Sequence, residues 1–165
     1  MHFTYSHHFA ANVEDVIAMF ADDDFVQRRA QSSGDEHGDA LLSGSVAEGF
    51  TVSIRRVVPS TSIPQEFRGF VGSDLSVRYT EVWEPNTGGT RQGTFSVEIV
   101  GAPGHASGNL SLIPSDGGTD LELEGSVSVR IPLFGSMIEK SLVKSVSTGL
   151  EDELAVADEW LASRA

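Results

Sequence analysis

The chain has 165 residues, no cysteine, and 24 Asp plus Glu against 11 Lys plus Arg, a formal net charge of −13. That length fits one domain, 1–165, with a core of its own, and the absent thiols exclude disulfides, thiolate catalysis and thiolate-ligated metal centres. A field of that sign repels phosphate backbones and anionic surfaces, so neither nucleic-acid binding nor stable membrane association is expected.

Residues 2–9 alternate, with Phe3, Tyr5, His7 and Phe9 on one side of a predicted strand. Asn12 is placed to cap a short helix whose buried stripe is Val13, Val16, Ile17 and Phe20. A second short helix is expected from Phe25 to about Gln31. The Asp22-Asp23-Asp24 cluster before it reads as an N-cap and a complement to the helix dipole, not as a metal site. After a loop over 32–39, residues 40–48 and 50–58 predict a hairpin turning at Glu48-Gly49. Phe50, Val52, Ile54 and Arg56 share one face of its second arm, Arg56 being the polar exception. Pro59 ends that strand. Ser60 to Gly72, with Ile63, Phe67, Phe70 and Val71, is too apolar for an idle loop and is expected to act as a lid at a cavity mouth.

Strands then resume. Leu75, Val77, Tyr79, Glu81 and Trp83 alternate on one face, Pro85 to Gly89 turns, and 91–100 returns. Turns at 101–104 and 115–118 bracket a weaker strand over 105–113, and 121–131 is the clearest strand of all. The last element is a helix from Ser136 to Ser163. Ser136 and Glu139 form a candidate capping box, and Ile138, Leu142, Val146, Leu150, Leu154, Ala157 and Leu161 make one apolar ridge. Beside it Ser141, Ser145 and Gly149 recur every four residues as a row of small side chains, expected either to line a cavity or to pack close on the sheet.

Polar groups on apolar faces mark candidate chemistry, because burial is costly unless such groups are paired or used. His7, Arg56, Tyr79 and Glu81 meet that test, with Arg56 and Glu81 on neighbouring strands and thus candidates for a buried ion pair. The five histidines offer no metal-ligand spacing, and no nucleophile elbow, zincin motif or phosphate loop is present. No metal or cofactor is expected.

The order of elements resembles the helix-grip fold of the START-like superfamily, which includes polyketide cyclases, plant pathogenesis-related proteins and lipid-transfer domains. More narrowly the chain is similar to a bacterial family of unassigned chemistry within it. Glu81-Val82-Trp83, Gly108-Asn109-Leu110, Gly117-Gly118-Thr119, Ile131 to Gly135 with Ile138-Glu139, and Trp160-Leu161 carry the resemblance. It implies an α+β fold, a seven-stranded curved antiparallel sheet gripping the long C-terminal helix, with two short helices after the first strand and a mostly apolar cavity between sheet and helix. The expected function is binding of a hydrophobic small molecule such as a lipid or polyketide-like compound, as carrier or sensor in the cytoplasm, with His7, Arg56, Tyr79, Glu81, Ser141, Ser145 and Gly149 as candidate ligand contacts. A cyclase or dehydratase-like enzyme, and an interaction module with a vestigial cavity, are the alternatives.

Overall fold

Alternation of apolar side chains builds the sheet. A computed structural model describes residues 1–31, 38–59, 61, 65–69 and 74–164. Among these, β1 (His2–Phe9), β2 (Asp39–Ser45), β3 (Gly49–Val58), β4 (Leu75–Trp83), β5 (Arg91–Val100), β6 (Gly104–Ser115) and β7 (Gly118–Val129) form one antiparallel sheet in the order β1-β7-β6-β5-β4-β3-β2. Helices α1 (Val13–Phe20) and α2 (Asp23–Gln31) follow β1, a single turn α3 (Gln65–Arg68) precedes β4, and α4 (Gly135–Arg164) closes the chain. The α+β architecture expected from the sequence is the observed one. α3 falls within the expected lid, whose Ile63, Phe70 and Val71 lie outside the described residues.

Local chemistry sets the element ends. The Asn12 side chain accepts from the Asp15 amide at 2.8 Å, and Asp22 Oδ1 accepts from the Asp24 and Phe25 amides at 2.9 and 3.3 Å, so both short helices are capped where the sequence indicates. Gly117, at φ 76, supplies the left-handed residue of the tight β6–β7 turn. α4 starts differently from expectation. Glu139 accepts from the Val129 amide at 3.0 Å, tying the helix to the end of β7 instead of closing a box on Ser136.

The sheet's register lays residues of successive strands in rungs across one face. One rung runs Phe3, Gly125, Gly108, Phe95, Glu81, Val52, and the next runs Val127, Ala106, Val97, Tyr79, Ile54. Two glycines meet in the first rung because the Phe95 ring lies over them; a Cβ on either Gly108 or Gly125 would come within 2.7 Å of that ring. The buried core gathers at one end of this face. Phe20 stacks on Trp83 at 5.8 Å and Phe25 meets Trp160 at 5.3 Å, joining α1 and α2 to the sheet and to the last turns of α4.

Packing along α4 is uneven. Leu154, Ala157 and Trp160 are buried, whereas Leu142, Val143, Val146 and Leu150 touch the core yet stay half-buried. The sheet mirrors this, with Tyr79, Val97, Val129, Val77 and Ile99 half-buried beyond the sealed rungs. Apolar side chains on both the sheet and the first half of α4 are therefore left partly exposed. No helix among the described residues is long and apolar enough to cross a membrane.

Candidate functional site

Among the described residues the concave face carries one fully buried carboxylate, on Glu81, 2% exposed and flanked across the sheet by Phe95 and Val52. α2 supplies its counter-charge. Phe25, Val26, Arg29 and Ala30 share the buried stripe of α2, which carries the Arg29 guanidinium inward at 4% exposure. Arg29 donates through both terminal nitrogens to Glu81, at 3.3 Å to Oε1 and 2.9 Å to Oε2, and through Nε to Glu153 Oε1 of α4 at 2.7 Å. Trp83 Nε1 donates to Glu81 Oε1 at 2.6 Å and the Tyr79 hydroxyl to Oε2 at 2.7 Å. Four donors thus occupy the roughly four lone-pair directions of one carboxylate.

The electrostatics follow from that count. Burial alone would push the Glu81 carboxyl up, but Arg29, Tyr79 and Trp83 together hold it below the usual glutamate range. Burial likewise works against the Arg29 cation, and Glu153 and Glu81 outweigh it, keeping the guanidinium charged. Tyr79 is raised, by burial first and then by the Glu81 charge, so its hydroxyl keeps its proton. The cluster is a charged clamp joining α2, β4 and α4, with no proton to give or take near neutral pH. Among the described residues no group of His, Asp or Glu is arranged to hold a metal.

The predicted site residues are not one constellation. Tyr79 and Glu81 are in contact, and Tyr79 is half-buried with Val97 opposite it on β5. Arg56 does not pair with Glu81: it sits opposite Val77, four residues along the strand from the Val52 that faces Glu81. Its guanidinium instead donates to the Arg29 carbonyl in the last turn of α2, satisfying one of the carbonyls a helix end leaves open. His7 lies at the far end of the face, its Nε2 3.1 Å from both Asp158 carboxylate oxygens and its ring edge-on to Phe9. Ser141, Ser145 and Gly149 are exposed, and a Cβ on Gly149 would meet nothing within 4 Å. Each stands one residue before Leu142, Val146 or Leu150, about 100° around the helix from that half-buried face.

Two surface grooves lie away from this cluster. One, of about 740 Å³, runs between α1 and the end of α4 past Asp15, Asp22, Asp158 and Trp160. The other, of about 500 Å³, is a polar hollow on the outer face of the sheet beside Thr4, Gln92, Asn109 and Glu124. Neither touches Glu81 or the half-buried valines.

Residues 4–161 match the DUF2505 family, described as proteins of unknown function. The chain belongs to the DUF2505 family. Uncharacterized protein Rv0481c of Mycobacterium tuberculosis is 30% identical over 110 residues, 66% of this chain, and the match spans 63% of that relative's length. Among solved structures, the Zhui aromatase/cyclase of Streptomyces sp. R1128 aligns with a TM-score of 0.62 at 14% identity, covering 99% of this chain and 94% of its own. A STAR-related lipid transfer protein of Xanthomonas axonopodis aligns at 0.56 and 14%, covering 92% and 82%. At such identities the likeness is one of fold, and the START-like helix-grip fold expected from the sequence is the one this DUF2505 chain has.

The clamp makes a pH prediction for the DUF2505 chain. Because the folded Glu81 pKa is lowered from 4.5, its stabilisation is complete above that value and is lost as pH falls through the lower folded pKa. Urea denaturation of wild type and Glu81→Gln across a pH series is therefore expected to show a stability gap that is constant from neutral pH down to about 5 and narrows below 4.5. A gap independent of acid pH would mean that the fold leaves the Glu81 carboxyl at its unfolded pKa, and a gap that shrinks as pH rises above 4.5 would mean that it is protonated in the fold.

Proposed function

We propose that the protein binds a hydrophobic small molecule between the sheet and the first half of α4, as a non-catalytic carrier or sensor. The observation that carries this reading is the pair of half-buried apolar surfaces, Leu142, Val143, Val146 and Leu150 facing the side of the sheet that presents Tyr79, Val97 and Val129. Apolar area left partly wet on both sides of a fold is stabilised by an apolar occupant, at about 25 cal/mol per Å² covered. Tyr79 would give such an occupant its one polar landmark, since its hydroxyl oxygen can accept a bond while donating to Glu81. The lipid-transfer and aromatase/cyclase structures of similar fold support a ligand of lipid or aromatic polyketide character.

A cyclase or dehydratase reading has less support, because a general acid or base needs an open site for a proton and the Glu81 oxygens already accept four donors. Native mass spectrometry of freshly purified protein, beside the same sample denatured, tests the carrier reading. The expected result is a mass excess that disappears on denaturation. A bare native mass, together with no uptake when the protein is incubated with total bacterial lipid extract, would overturn it.

A further inference from the structure

Large apolar side chains normally turn inward, but the connection from β7 to α4 turns them out. Leu133 is 97% exposed and sits at φ 71, a left-handed conformation in which its Cβ crowds the backbone. Pro132 and Met137 are exposed beside it. These residues stand where the two half-buried apolar walls join, directly after Val129 of the sheet and before Leu142 of the helix. Charge reverses at the same place. From Gly125 to Leu150 the chain carries Arg130, Lys140 and Lys144 against Glu139 alone, within a protein of net charge −13. All three cations are exposed and none forms an ion pair among the described residues, while Glu139 is held by the Val129 amide.

We propose that this tip, Leu133 and Met137 flanked by Arg130, Lys140 and Lys144, docks reversibly on a bilayer that contains anionic lipid. The two apolar side chains enter the acyl boundary while the cations meet headgroups, and the two attractions together reach a strength neither has alone. Exposed apolar side chains with exposed cations before and after them in the chain fit that layered surface better than they fit a protein face. The acidic remainder of the molecule is repelled, which confines contact to this end and keeps it reversible. The proposal does not require the cleft to hold a ligand.

Flotation of the full chain with vesicles of equal parts phosphatidylcholine and phosphatidylglycerol tests it, with pure phosphatidylcholine as the comparison. Binding to the mixed vesicles is expected at low salt, falling about tenfold or more in high salt, on pure phosphatidylcholine, in the Lys140→Glu, Lys144→Glu double variant and in Leu133→Gly. Glycine is at ease at positive φ, so Leu133→Gly is expected to melt no lower than wild type, which separates lost docking from lost folding. No binding to mixed vesicles, or binding unchanged by Leu133→Gly, overturns the proposal. So does a Leu133-dependent dimer that fails to float, which would assign the tip to a second copy of the chain.

Discussion

Replacing Arg29 with methionine is expected to destabilise the protein by about 3–5 kcal/mol, the cost of leaving a buried carboxylate without its counter-charge. Glu81 would keep the Tyr79 and Trp83 hydrogen bonds but lose both donors from the guanidinium, and Glu153 would lose its 2.7 Å partner. Against a typical total of about 5–15 kcal/mol, that is a large share. Arg29→Lys should recover only part of the loss, since an ammonium cannot present the fork that meets both Glu81 oxygens while Nε reaches Glu153. The Arg29→Met, Glu81→Leu double variant is expected to be more stable than Arg29→Met alone, because the stranded charge is gone. Urea denaturation of the set measures this, and a loss below about 1 kcal/mol for Arg29→Met would show that the clamp is solvated in solution.

The second large effect concerns the cleft. Val146→Trp is expected to weaken binding of the neutral dye Nile red by roughly sixty-fold, taking about 100 Å² of contact displaced at 25 cal/mol per Å². Ser145→Trp, one residue away on an exposed position, is expected to leave the affinity unchanged. The pair separates a ligand held against the helix face from dye adsorbed on the surface. Equal losses in both variants, or none in either, would move the binding surface away from α4.

How far the sequence reaches depends on which interactions set each feature. Strands and helices follow from periodicity and caps, so Asn12, Asp22 and the alternation through Leu121 and Leu123 were enough to place their elements. Polar residues on apolar faces singled out Tyr79 and Glu81 for the same local reason. Their partner was hidden because it comes from another layer. Adjacency of β3 and β4 suggests Arg56, whereas the register puts Val52 opposite Glu81 and leaves the carboxylate to a helix packed above it. Arg29 did carry a signal: it follows Phe25 by four residues and sits beside Ala30, so the stripe that buries them buries Arg29. Glu153, adjacent to Leu154 on the same face as Leu150 and Ala157, carried a similar one. The small-residue row of α4 shows the limit of spacing alone: Ser141, Ser145 and Gly149 keep the same period as Leu142, Val146 and Leu150, and only their offset of about 100° decides that the row is exposed.

The carrier reading requires an apolar space between the sheet and the first half of α4. Xenon titration monitored by carbon-13 methyl shifts tests it without any assumption about the natural ligand, because xenon enters dry apolar cavities of sufficient size. Saturable shifts concentrated at the methyl groups of Val97, Val129, Val143 and Val146 are the predicted result. Small linear shifts spread evenly over the protein would contradict it, and would mean that the two surfaces close on each other in solution.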